Sequence, residues 1–186
     1  MNRGPYVKIC GVTSVDDAKM CVEHGAHAIG LNFVAGSPRC VTIATAQAIA
    51  QAAKACNPST IVVGVVANQC VSDLIALKAN AALDCLQLHG DERPADLTPL
   101  LPHAYKAIRI ASAADVALAR SFAGEYLLVD AKVDGQLGGS GMTFDWSLVK
   151  ALSSERKLTL AGGLTPQNVR QAIAAVQPYC VDVASG

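Results

Sequence analysis

In VKICGV, residues 7–12, a lysine and a cysteine stand two positions apart, just before a glycine. Strand side chains alternate between faces, so Val7 and Ile9 would share one face while Lys8 and Cys10 share the other. An unpaired cysteine is most often a small core residue. One that shares a face with an ammonium group, roughly 7 Å away by strand rise, has a neighbour able to favour its thiolate. The same parity recurs in LQLHG, where Gln87 and His89 oppose Leu86 and Leu88, and in AIRI, where Arg109 opposes Ile108 and Ile110. Asp130 closes YLLVD, and Asp182 sits within CVDVA. Each has a bland account: Lys8 reaching for solvent, an Arg109–Asp130 ion pair, His89 on a carbonyl. Their accumulation on one set of faces favours function, because each buried ionisable group costs several kcal/mol unless it is paired.

The elements that must position these groups are short apolar runs: YVKIC, AIGLNF, IVVGVV, CLQL, YKAIRI, YLLVD, KLTLA and CVDVA, beginning near residues 6, 28, 61, 85, 105, 126, 157 and 180. Between them lie segments of helical period. TSVDDAKMCVEHGA offers Thr13 or Ser14 as cap, Asp16 and Asp17 in the first turn, and Gly25 as its end. SAADVALARSFAG runs from Ser112 to Gly124, and TPQNVRQAIAAV has Thr165 as cap with Pro166 at the first helical position. Alternating strands and helices predict an α/β fold with a parallel sheet, and eight repeats predict closure into a (βα)8 TIM barrel. The open doubly wound sheet competes, but no Gly-x-Gly-x-x-Gly follows the first strand. Residues 1–186 are expected to form a single barrel domain that is C-terminally incomplete, since the chain ends at Gly186 before a helix covering strands eight and one.

Glycine clusters follow the last strands: GQLGGSG at 135–141, AGGL at 161–164 and ASG at 184–186. In a barrel, loops after the final strands hold phosphate on backbone N–H groups, and glycine permits the close approach. The AGG and ASG clusters, with Gly162, Gly163, Ser185 and Gly186, are therefore a candidate phosphate grip.

Lys plus Arg and Asp plus Glu number 15 each, so no charge excess marks a nucleic-acid or anionic-membrane partner; a small molecule is expected. Seven scattered cysteines without a Cys-x-x-Cys pair point to reduced thiols and a cytoplasmic location. Of these, Cys21, Cys56 and Cys70 fall on helical segments and read as filler. No apolar run approaches the ~20 residues of a membrane span. His24 and His27 have helical spacing but no third ligand nearby, so no metal is expected.

Eight ordered blocks, KICGVT, GSPR followed by CV, VGVVAN, LQLHGDE, LLVDAK, GGSGMTFDW, AGGLTPQNV and VDVASG, resemble the phosphoribosylanthranilate isomerase family over nearly the whole chain. The resemblance implies a (βα)8 barrel without metal or organic cofactor. It implies an Amadori rearrangement of N-(5-phosphoribosyl)anthranilate to 1-(2-carboxyphenylamino)-1-deoxyribulose 5-phosphate, a step of tryptophan biosynthesis. Carried over by motif, Cys10 is the general base, Asp130 the general acid and Arg39 the holder of the anthranilate carboxylate, with phosphate near Gly162, Gly163, Ser185 and Gly186. Lys8, Gln87, His89, Gly139 and Asp182 complete the expected substrate site, and the oligomeric state stands as monomer or homodimer.

That chemistry requires Asp130 to start protonated, which burial in the barrel mouth favours, and Cys10 to start as thiolate, which Lys8 favours. Two rival chemistries remain: a Schiff-base lyase using Lys8 or Lys106, and a sugar-phosphate binder without turnover. A sister isomerase of histidine synthesis usually employs two aspartates, and Cys10 stands at the first of those positions.

Overall fold

The computed structural model describes residues 4–130 and 146–184. Eight parallel strands close into a barrel in chain order: β1 (Tyr6–Cys10), β2 (Ala28–Asn32), β3 (Ile61–Val66), β4 (Cys85–Leu88), β5 (Ala104–Arg109), β6 (Tyr126–Asp130), β7 (Lys157–Ala161) and β8 (Cys180–Val183). The expected strand starts hold, with β5 beginning one residue earlier, at Ala104. Around them lie α1 (Val15–Glu23), α2 (Ile43–Cys56), α3 (Val71–Asn80), α4 (Pro94–Leu97), α5 (Ala113–Ser121), α6 (Ser147–Glu155) and α7 (Val169–Val176). Among the described residues no helix is long and apolar enough to cross a membrane.

The strands read as near-continuous apolar runs because both faces of a parallel barrel are covered. Outward residues such as Ile29, Leu31, Leu86, Leu88, Leu127, Leu158 and Leu160 are sealed against the helices. Truncating one of them to Ala would cost about 2–5 kcal/mol. The inward layer is small by comparison: Val63, Tyr105, Ala107, Leu128 and Ala161 pack together inside the barrel. Val7 and Ile9 face the helical layer as their parity predicts, and both are half-buried.

Local chemistry sets the helix starts. Ser14 caps α1 by accepting from Asp17 N at 3.1 Å, and Gly25 follows its end at φ +90°. Ser112 and Asp115 form a capping box at α5. The seventh helix departs from expectation. It begins at Val169, three residues beyond Pro166, because Asn168 folds back on the preceding loop: its Oδ1 accepts from Thr165 N at 2.8 Å and its Nδ2 donates to Gly163 O at 2.9 Å. An Asn side chain competing for backbone partners in this way holds residues 165–168 as a turn.

The cysteines also divide differently. Cys21 packs against the core, but Cys56 and Cys70 are exposed, the latter at the N-cap of α3 with its Sγ 3.0 Å from Ser72 Oγ. Helical location alone did not separate an inward face from an end. His24 and His27 each commit a ring nitrogen to backbone, Nδ1 to Met20 O at 2.8 Å and to Val7 N at 3.1 Å respectively.

Candidate active site

A cavity of about 360 Å3 opens at the carboxyl ends of the strands. Cys10 of β1, Gln87 and His89 at β4, Asp130 of β6, Gly162 and Gly163 after β7, and Asp182 of β8 all line it, together with Asn32 of β2. Strand parity delivers the side chains of Cys10, Asn32, Gln87, Asp130 and Asp182, each an inward position near the end of its strand, and His89 continues the parity of Gln87. Gly162 and Gly163 carry φ of +90° and +63°, consecutive left-handed conformations that glycine adopts without a Cβ penalty. Gly139, Ser185 and Gly186 lie outside the described residues.

The floor of the cavity is a polar chain across the barrel. Lys8 Nζ donates to Asp182 Oδ2 at 2.7 Å and to Gln87 Oε1 at 2.8 Å, and Tyr105 OH donates to the same Oε1 at 3.0 Å. Two donors on Oε1 turn the amide nitrogen of Gln87 toward His89 Nδ1, 3.0 Å away. Nδ1 is thereby the acceptor, and a neutral imidazole carries its proton on Nε2. That nitrogen lies 4.0 Å from Asp130 Oδ2. The chain Asp182–Lys8–Gln87–His89–Asp130 thus links β8 to β6.

Burial governs the electrostatics. Desolvation opposes the charge on Lys8, but the Asp182 carboxylate overrides it and holds the ammonium well above its ordinary value. Burial pushes the Cys10 thiol up; Lys8 pulls it down but does not win. The expected thiolate-favouring neighbour is therefore present, and desolvation outweighs it. Burial also lowers His89, with Asp130 acting in the opposite direction, which favours the neutral imidazole. Asp182 Oδ1 is buried without a hydrogen-bond partner among the described residues.

Lys8 does not line the cavity; it lies beneath, 2% exposed. Arg39 is exposed and is not among the residues lining the cavity; its side chain lies across Gly11, the residue after Cys10, where an added β-carbon would sit 2.5 Å from Arg39 Cδ. Arg109 pairs in register with Asp130 across β5 and β6. Lys106 points the other way, toward the helical layer, where it donates to Glu92 Oε2 at 2.9 Å, Gly90 O at 2.6 Å and Leu88 O at 3.2 Å. Lys8 is tied to Asp182 beneath the cavity and Lys106 to Glu92 on the helical side, so neither amine is placed to attack a carbonyl in the cavity. Three contributors were not singled out from the sequence: Gly30, Asn32 and Tyr105. Each has the inward parity of its strand, which was the available signal.

Residues 7–186 match the family model described as N-(5'phosphoribosyl)anthranilate (PRA) isomerase. A relative from Magnetococcus marinus named N-(5'-phosphoribosyl)anthranilate isomerase is 45% identical over 181 residues, spanning 97% of this chain and 84% of the relative. The phosphoribosyl anthranilate isomerase of Thermotoga maritima superposes with a TM-score of 0.87 at 36% identity, over 98% of this chain and 88% of that one. A further isomerase structure, in complex with reduced 1-(o-carboxyphenylamino)-1-deoxyribulose 5-phosphate, superposes with a TM-score of 0.83 at 34% identity, over 98% and 88%. On the match of its sequence, its barrel and its relatives, the chain belongs to the N-(5'-phosphoribosyl)anthranilate isomerase family.

Proposed function

We propose that this barrel isomerises N-(5-phosphoribosyl)anthranilate to 1-(2-carboxyphenylamino)-1-deoxyribulose 5-phosphate, with Cys10 as general base and Asp130 as general acid. The observation that carries the assignment is that a thiol from β1 and a carboxyl from β6 face one cavity whose rim bears Gly162 and Gly163. Asp130 gives a proton to the furanose ring oxygen, the C1–O bond breaks, and a protonated Schiff base forms between C1 and the anthranilate nitrogen. Cys10 thiolate then removes the proton from C2, leaving an enolamine. Protonation at C1 and loss of the C2 hydroxyl proton give the ketone, so no atom is gained or lost. Each acid or base step of this kind supplies about 10²–10⁴ in rate.

Arg39 receives the anthranilate carboxylate, a charge-assisted contact suited to a planar guanidinium. Backbone N–H groups at Gly162 and Gly163 take the phosphate, a role the family resemblance also gives to Ser185 and Gly186. Asp182 Oδ1, buried and open for a donor, accepts from a ribose hydroxyl. Gln87 and His89 hold the floor on the acid's side. The substrate is a small molecule, and the reaction is one of cytoplasmic amino-acid synthesis.

The test is to generate the substrate in situ from anthranilate and phosphoribosyl pyrophosphate, add the chain, and follow the fluorescence of phosphoribosylanthranilate. The reading predicts decay to a product of unchanged mass that borohydride reduces. Saturable binding without fluorescence decay would identify a non-catalytic sugar-phosphate barrel instead.

A further inference from the structure

The loop between β2 and α2, residues 33–42, carries Arg39 and returns to where it started. Asn32, the last residue of β2, holds it at several points. Its backbone oxygen accepts from Val41 N at 2.9 Å, and Asn32 and Cys40 form an isolated bridge that closes the loop. Its side-chain Oδ1 accepts from Val34 N at 2.7 Å. That donor settles which end of the amide is oxygen, so the nitrogen faces Ser37, and Nδ2 donates to Ser37 Oγ at 3.1 Å. The same Oγ accepts from Arg39 N at 3.2 Å. A two-step strut therefore runs from the sheet through Asn32 and Ser37 to the backbone of Arg39.

The strut has a defined target. Gly11, at φ +80°, donates its N–H to Gly30 O at 2.8 Å and leaves its Cα face bare. Arg39 lies on that face, beside the residue that follows Cys10 in sequence. An arginine on a free loop would sample many rotamers and lose that freedom on binding an anion. Here the backbone end of the side chain is fixed at Arg39 N and its stem lies against Gly11, which narrows that freedom.

We propose that Asn32 is a positioning residue for this reaction: through Ser37 it fixes the Arg39 backbone so that the guanidinium lies over Gly11, ready for the aromatic carboxylate of the substrate. The inference rests on the proposed role of Arg39 and deepens it. Asn32 touches the cavity wall, but its effect is exerted through Arg39.

The experiment compares kcat and KM for Asn32→Ala, Ser37→Ala, Arg39→Ala and the double variant Asn32→Ala/Arg39→Ala. A contact made equally in ground and transition states raises KM and leaves kcat. Arg39→Ala should raise KM by about tenfold or more with kcat within about twofold, and Asn32→Ala and Ser37→Ala should each raise KM about three- to tenfold. The double variant should match Arg39→Ala within about twofold, because a residue that acts through a partner has nothing left to lose once the partner is gone. Multiplying effects in the double variant, or an unchanged KM in Ser37→Ala, would overturn the inference. If Asn32→Ala fails to fold, Ser37→Ala and its double variant with Arg39→Ala decide by the same criterion. An unchanged KM in Arg39→Ala alone strikes the carboxylate contact itself, an outcome separate from failure of the strut.

Discussion

Gly30 stands beside Cys10 in the β1–β2 register, and a β-carbon added there would lie 2.7 Å from Cys10 Sγ and 3.1 Å from Cys10 Cα. The thiol occupies space that only glycine leaves on the adjoining strand. Gly30→Ala should push Sγ off its position in the cavity and strain the strand pair, costing about 1–3 kcal/mol of stability. A displacement of about 1 Å at a reacting group can cost on the order of 10²-fold in rate. The expectation is a folded variant, confirmed by thermal melting, with kcat lowered at least about tenfold. A kcat equal to that of the parent chain would mean that the thiol's position is immaterial.

Burial raises Cys10, and Lys8 opposes the rise. Because the base works as thiolate, its active fraction grows with pH, and the rising limb of kcat/KM should extend above the ordinary thiol range. Lys8→Met removes the one opposing charge named here and should move that limb further toward alkaline pH. It also strands the Asp182 carboxylate, so a loss of about 3–5 kcal/mol in unfolding free energy accompanies it. A pH profile taken below the variant's melting temperature separates the two effects, and a limb shifted to lower pH contradicts the electrostatic account.

Lys106 and Glu92 form a second buried pair that ties the loops after β3 and β4 to strand β5 rather than building the site. Glu92 Oε1 accepts from Asn68 N at 2.8 Å, and both its oxygens accept from Gly90 N at 3.0–3.3 Å. Burial opposes the charge on Glu92, but the Asn68 N–H and Lys106 prevail and hold its carboxyl below the ordinary value. A group whose value is depressed on folding contributes stability above its unfolded value, about 4.3, and that contribution fades as pH falls through the lower folded value. Glu92→Gln should therefore lose about 3 kcal/mol at pH 7, with the gap narrowing at a pH below that unfolded value. Urea unfolding at both pH values reads this out; a gap that widens in acid contradicts it.

Much of this site was legible because strand parity is a geometric rule. Once YVKIC and CLQL are strands, Lys8, Cys10 and Gln87 must face inward, and His89 follows Gln87. What parity cannot say is who meets whom across the barrel. The bond between Lys8 and Asp182 spans 174 positions of sequence, and the choice of Gln87 as its second acceptor depends on Tyr105 standing opposite. Nor could it weigh burial against charge at Cys10, which needs the walls of the cavity. Asn32 and Gly30 were hidden by their ordinariness: an amide ending a strand and a glycine within one carry no chemical signature until the loop and the thiol beside them are placed. The start of α7 was misjudged because Pro166 favours a first helical turn, while the backbone contacts of Asn168 do not show in sequence.

The central claim is that Cys10 and Asp130 perform the two proton transfers, and the most direct measurement is the single-turnover decay of phosphoribosylanthranilate fluorescence on the parent chain, Cys10→Ala and Asp130→Asn. The account predicts that both variants melt cooperatively, still bind the product analogue, and fall by at least about 10²-fold in the rate of decay. A folded Cys10→Ala variant that turns substrate over within about threefold of the parent rate would contradict it, and would return Cys10 to the small core cysteines that it resembles in composition alone.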